Sequence, residues 1–385
     1  MANKQLVKGF SDYVGAEALK RARIRKIILE QFELYGFEPA ETPTIEFEEF
    51  VKGNNANEDT ISEIFKLEDR GKRKLALKYE STFQLNRIAQ NQKLPYKRYQ
   101  IDRVFRDEPV KSDRFREFTQ CDADIVGASP KDEAELLSLV SNILDKIKIK
   151  SVIYINNRKL LNEIMVSENI EERNMETAIR ELDKLDKLPK KDVADNLKKI
   201  GAEKLLKIIN KGDFDSYGSY KEIKELKKLC KAYGVKVEFS PTLARGLAYY
   251  NGTVFEIKSK DMKGTICGGG AYSVGGIQAF GFAFGLDRIS VLSPIEGSAA
   301  KIQIISIDED AAAIELASNL RENGVSVNVL LDKTIGKAME YANAKGVGKV
   351  VFVGKEEVAK GKFKVKDMVS GDEEFLSEAK IVGLF

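Results

Sequence analysis

Two strand-like arms meet around a polar turn between residues 97 and 127, and few folds can accept them. "KRYQIDRVFRDE" and "FREFTQCDADIVG" flank "PVKSDR", a pattern that predicts a long antiparallel hairpin. Successive side chains of a strand point to opposite faces. Tyr99, Ile101 and Phe105 therefore fall on one side of the first arm, and Arg106 and Glu108 on the other. In the second arm Cys121, Ala123 and Ile125 share the apolar side, while Phe118, Gln120, Asp122 and Asp124 share the opposite one. With the apolar side in the core, the other becomes a floor of charges, an amide and one ring. Such a floor must face a cavity or water.

The segments around the hairpin give the rest of an α+β chain. Residues 16–34 place Ile24, Ile27, Ile28 and Phe32 at helical spacing, which reads as an amphipathic helix on a core. Pro39 and Pro43 make the stretch after Gly36 an extended entry into a strand or edge. A second helix is expected over 131–150, followed by the strand "SVIYIN". From about Lys159 to Tyr233 the composition turns rich in Lys and Glu, the mark of an inserted helical subdomain. Gly-rich strands follow, and in "GFAFGLDRI" the alternation of Phe282, Phe284 and Leu286 with Ala283 and Gly285 leads to Asp287, expected to cap a helix carrying Arg288. A boundary near 293–301 precedes an alternating strand–helix region over 301–385, expected to be a small α/β domain on a largely parallel sheet. The resulting division is a first part of one domain at 1–158, the insertion at 159–236, the second part of that domain at 237–296 and a last domain at 301–385.

Composition excludes several chemistries. The 385 residues include no histidine and only three cysteines, so His-paired nucleophiles, His-ligated zinc and a disulfide framework are not expected. Cys121, Cys230 and Cys267 read as small buried apolar residues, and no protein metal site is expected. No apolar run approaches twenty residues, and the first residues lack a signal-peptide stretch. The expectation is a cytoplasmic protein without a membrane partner. The net charge of +3 leaves any nucleic-acid contact to a local basic patch.

Arg106, Arg245 and Arg288 come from three separated segments, each at a strand edge or helix start. Guanidinium forks match phosphate oxygens and stabilise developing charge. Three of them beside a carboxylate floor and Gly-rich backbone suggest a triphosphate pocket, with no GxxxxGK(S/T) loop to offer another explanation.

The motifs then carry a family resemblance. "FRDE…RFREF" and "GFAFGLDRI" resemble motifs 2 and 3 of class II aminoacyl-tRNA synthetases, and "YGFEPAETPTIE", with Pro43, resembles motif 1. "KGFSDY", "LKYEST", "REFTQCDADIVG", "ELDKLDK", "ARGLAYYNGTVFE" and "GGGAY" occur in the order of the histidyl-tRNA synthetase family, so the likeness covers essentially the whole chain. It implies an antiparallel class II catalytic sheet with a helical insertion and a C-terminal α/β anticodon-binding domain. It also implies ATP as substrate with Mg2+ on its phosphates, histidine and tRNA(His) as partners, and a homodimer. Carried over by position, Arg106 would hold the α-phosphate and the amino acid carboxylate, Glu108 the adenine amino group, Arg114 the γ-phosphate and Phe118 the adenine face. Arg288 would contact phosphates, and Arg245 would approach the α-phosphate. Glu80, Ser81 and Thr82 would receive the substrate ammonium, with Gln120, Asp124, Tyr249, Tyr250 and Tyr272 around the imidazole. The chain departs from the family pattern at Lys78-Tyr79, Ala248, Ala271 and Ser273. A catalytically silent synthetase-like regulatory protein that binds histidine or nucleotide is the alternative.

Overall fold

A computed structural model describes residues 4–53, 61–110, 114–186, 188–245, 249–297 and 301–385. The centre of the polar turn and Ala248 lie outside these residues. The strands are β1 (Glu38–Pro39), β2 (Ile45–Phe47), β3 (Lys66–Glu68), β4 (Lys74–Leu77), β5 (Tyr96–Phe105), β6 (Glu117–Val126), β7 (Val152–Asn157), β8 (Val237–Phe239), β9 (Thr253–Lys258), β10 (Thr265–Val274), β11 (Ile277–Gly285), β12 (Ile302–Ser306), β13 (Val327–Leu330), β14 (Lys349–Val353), β15 (Phe363–Asp367) and β16 (Glu373–Leu376). They are distributed over two compact units, one of residues 1–12 with 24–295 and one of residues 13–23 with 296–385.

The first unit is built on an eight-stranded sheet in the order β1-β5-β6-β11-β10-β9-β7-β8. The six strands from β5 to β7 run antiparallel, and β1 and β8 add parallel edges. The hairpin pairs Tyr99 with Ala123 and Ile101 with Cys121, as alternation requires. Phe280, Phe282 and Phe284 of β11 continue the same apolar face, opposite Ile125, Ala123 and Cys121. Two helices close that face. Ile24, Ile28 and Phe32 of Gly15–Leu34 are fully buried, and the Phe32 ring stacks on Tyr99 at 5.0 Å.

The helix Pro130–Lys146 begins where Ser129 N–H and hydroxyl both donate to Asp132 Oδ2, at 2.7 Å each, with Pro130 in the first turn. It buries Leu136, Leu137, Leu139, Val140 and Ile143 completely, each contributing about 2 kcal/mol of transfer free energy. Between β7 and β8, helices Arg158–Ser167, Glu172–Asp183, Lys190–Lys199, Glu203–Lys211 and Tyr220–Ala232 extend this core through Leu160, Ile179, Leu197 and Leu205.

Two expectations are corrected. The helix after β11 is Leu286–Leu292 with Gly285 at its N-cap, so Asp287 is not the cap. Its carboxylate instead accepts the Thr119 backbone N–H at 2.8 Å and ties the helix start to β6. In the second unit the sheet order is β13-β12-β14-β15-β16, with the first two pairings parallel and the last two antiparallel. The sheet is thus mixed: β15 and β16 form a hairpin whose link, around Gly371 at φ +82°, is too short for a crossover. Among the described residues no helix is long and apolar enough to cross a membrane.

Candidate active site

The second face of the large sheet is the polar floor, and Gly-rich strands make it deep. Gly268 pairs with Ala283 and Gly270 with Gly281 across β10 and β11, so this face of two adjacent strands carries almost no side chains. The emptiness is required by close approach. A Cβ at Gly268 would collide with the Arg245 guanidinium, and one at Gly281 with the Asp124 carboxylate. The result is a cavity of about 310 Å³ lined by Glu80, Thr82, Arg106, Phe118, Gln120, Asp124, Arg245, Tyr249, Tyr250, Tyr272 and Arg288. A second lobe of about 360 Å³ shares Arg106, Phe118 and Arg288 with it and adds Glu63, Glu108 and Arg114. Of the expected residues only Ser81 lies outside both linings. It is buried behind the floor, where its carbonyl accepts a hydrogen bond.

The three arginines converge, each held by a different device. The Arg106 guanidinium lies over the Tyr79 ring at 4.3 Å and the Phe118 ring at 5.2 Å, a cation–π arrangement. Arg245 ion-pairs with Glu256 at 2.7 Å and sits at φ +53°, a left-handed conformation that a non-Gly residue keeps only when its surroundings hold it. Burial opposes its charge, but Tyr250 and Glu256 outweigh burial and keep it protonated. Arg288 donates to the Thr265 carbonyl at 2.7 Å. In the second lobe Arg114 pairs with Glu108 at 2.8 Å.

The same cavity carries acidic and aromatic side chains. Tyr249 lies 4.7 Å from the Tyr250 ring and 5.8 Å from that of Tyr272. Tyr272 donates its hydroxyl to Asp124 Oδ1, and Gln120 donates to Asp122 Oδ1 at 2.7 Å. Burial raises the pKa of Glu80, against the pull of Arg106. It also raises that of Asp124, against the pull of Arg98, and pushes Asp122 up to about 7. Glu80 Oε1 and Asp122 Oδ2 are buried without a hydrogen-bond partner. Orphaned acceptors in a cavity suit a cationic or N–H-bearing ligand.

Arg98 and Glu256 were not marked in the sequence, and Asp122 was placed on the polar floor without a role. Arg98 is fully buried and lies 2.8 Å from Asp124 Oδ2. Its signal was present, since parity places it on the polar side of the hairpin directly across from Asp124. Glu256 had no such signal. Lys78, at a departure from the family pattern, is fully buried in an ion pair with Asp102.

A family model described as histidyl-tRNA synthetase matches residues 9–289, most of the chain, and one described as anticodon binding domain matches 301–385. The chain belongs to the histidyl-tRNA synthetase family. Members of this family are ATP-dependent ligases, and similar curated proteins carry that name. Histidine–tRNA ligase 1 of Bacillus cereus (strain ZK / E33L) is 36% identical over 411 residues, covering 95% of this chain and 96% of that protein. Histidine–tRNA ligase of Helicobacter pylori (strain G27) is 31% identical over 442 residues, covering 100% and 99%. The crystal structure of histidyl-tRNA synthetase from Nostoc sp. PCC 7120 superposes with a TM-score of 0.88 at 26% identity, over 100% of this chain and 99% of that one. A structure titled ATP phosphoribosyltransferase regulatory subunit/histidyl-tRNA synthetase, from Bacillus halodurans C, shares the fold with a TM-score of 0.75 at 21% identity, over 89% and 97%.

Proposed function

We propose that the chain is a cytoplasmic class II histidine–tRNA ligase. It forms histidyl-adenylate from ATP and histidine in this cavity and passes the histidyl group to the 3′ end of tRNA(His). The observation that carries the reading is the convergence of Arg106, Arg245 and Arg288 on one cavity that also holds Glu80, whose Oε1 is buried without a hydrogen-bond partner. A carboxylate oxygen of histidine attacks the α-phosphorus and the bond to pyrophosphate breaks. Negative charge then crowds around phosphorus, where fixed guanidinium groups neutralise it without reorganising. Arg106 and Arg245 act at the α-phosphate and Arg288 and Arg114 at the outer phosphates, while Glu108 and Phe118 hold adenine. Glu80 and Thr82 take the ammonium, and Gln120, Asp124 and the three tyrosines enclose the imidazole. A site built to pair a ring N–H rejects side chains lacking one, because its own buried acceptor would then go unpaired.

Magnesium accompanies the triphosphate in this reading. Among the described residues there is no cluster of three or more acidic or cysteine ligands. Such a cation would be held mainly by phosphate and water oxygens. When bound, it would neutralise phosphate charge. Residues 301–385 would bind the anticodon region, and the remaining boundaries are those read from the sequence: 1–158, 159–236 and 237–296. A homodimer would form through the segment around Pro43. A silent regulatory role is not favoured, since the arginine set would then have no charge to stabilise.

ATP–pyrophosphate exchange by the purified chain, assayed with each amino acid in turn, tests the proposal. Exchange with histidine and with no other amino acid is expected. Folded protein that exchanges with none would leave only the silent reading.

A further inference from the structure

We infer that Arg98 is a positioning residue for substrate selection, a buried counter-cation that keeps Asp124 an acceptor for the imidazole N–H and fixes the turn that receives the ammonium. This rests on the histidine reading above and adds a residue that the family motifs do not mark.

The geometry is specific. Arg98 on β5 stands across from Asp124 on β6 and is fully buried, with Nη2 at 2.8 Å from Asp124 Oδ2. The same Nη2 donates to the Ser81 carbonyl at 3.2 Å. Ser81 joins Glu80 to Thr82, so one guanidinium is tied to both ends of the amino acid pocket. Asp124 Oδ1 accepts from Tyr272, whereas Oδ2 meets Arg98 at ion-pair distance without an aligned hydrogen bond. Asp124 itself lines the cavity. The Arg98 Nε and Nη1 atoms also lack hydrogen-bond partners. So costly a burial of charge indicates that its main role is electrostatic.

Removal of the cation defines what it does. Asp124 is faced by Arg98 from β5, Asp122 from its own strand, Tyr272 from β10 and Glu80 from the turn, with Tyr96 near Arg98; β11 contributes only Gly281 opposite it. Without Arg98, three carboxylates would share a dry pocket, and like charges so placed cannot all stay ionised. Loss of the Arg98 charge removes the main pull that holds the Asp124 pKa down, and a protonated Asp124 offers the imidazole a donor where an acceptor is needed.

The test measures KM for histidine and for ATP in the exchange assay at pH 6.0, 7.0 and 8.5. The wild-type chain is compared with Arg98→Gln, which removes the charge and keeps a polar amide, and with Arg98→Lys, which keeps the charge. Ratios to wild type at each pH cancel the titration of the substrate's own imidazole. For Arg98→Gln, the histidine KM is expected to rise at least tenfold at pH 6.0. The excess should shrink at pH 8.5 as Asp124 ionises, with the ATP KM changed less than threefold. Arg98→Lys should stay within threefold of wild type throughout. Should Arg98→Gln fail to fold, Arg98→Lys decides: a tenfold or larger rise in its histidine KM at every pH overturns the inference. Equal, pH-independent rises in both KM values for Arg98→Gln, or no change in either, do the same while the histidine reading stands. A wild type inactive with histidine overturns both.

Discussion

Asp122 shows how a single buried side chain sets a pH dependence. Burial is the main cause of its shift, Arg98 opposes it, and Asp124 and Glu80 add to it, leaving a value of about 7 against an ordinary 3.8. Between those values the folded chain binds a proton that the unfolded chain does not. Stability therefore falls as pH rises through this window. Asp122→Asn removes the titration and keeps an acceptor for Gln120. Its melting temperature is expected to exceed that of wild type by about 2 °C or more at pH 8, with little difference at pH 5, by scanning calorimetry. An equal shift at both pH values would show that packing, not charge, is what changed. The parity that places Asp122 on the floor could be read from the sequence. Its raised pKa could not, because desolvation is produced collectively by strands far apart in the chain.

For the strand pair β10 and β11, the glycines have a geometric purpose. Gly268, Gly270 and Gly281 strip one face so that Arg245, Tyr250 and Asp124 can lie against the backbone. At Gly268 the clash is with the end of a flexible side chain, so an added methyl displaces Arg245 and leaves the sheet intact. Gly268→Ala is accordingly expected to lower histidine-dependent exchange at least tenfold while the melting temperature moves by no more than about 3 °C. A variant that exchanges at the wild-type rate would dissociate Arg245 from the reaction. The antiparallel hairpin was legible here because alternation and turn chemistry are local. The helix start after β11 was misjudged, since the Asp287 carboxylate is drawn to the Thr119 N–H of a strand 168 residues away in sequence.

Over the whole molecule, the three-stranded sheet β2-β4-β3 leaves Ile45, Phe47 and Leu67 at 50%, 57% and 40% exposure, next to Pro43. Grouped exposed apolar side chains mark an interaction surface. Ile45→Lys with Phe47→Lys is expected to convert the proposed homodimer into monomers in sedimentation velocity, and a wild-type dimer whose sedimentation coefficient is unchanged by the substitutions would place the contact elsewhere. With no histidine in the chain, titration between about pH 5 and 8 is left to perturbed carboxylates, Asp122 and Glu133 near 7 among them. The amino acid order alone determined the hairpin, its polar and apolar sides, the glycine-lined strands and the strand–helix alternation of residues 301–385. All of these follow from neighbours a few residues apart. Only the tertiary structure decided that three distant arginines share a cavity, that Arg98 answers Asp124 and Glu256 answers Arg245, and that the last sheet is mixed. Those outcomes depend on which strands close against each other and on how much water they exclude, and neither quantity is a property of any short stretch of chain.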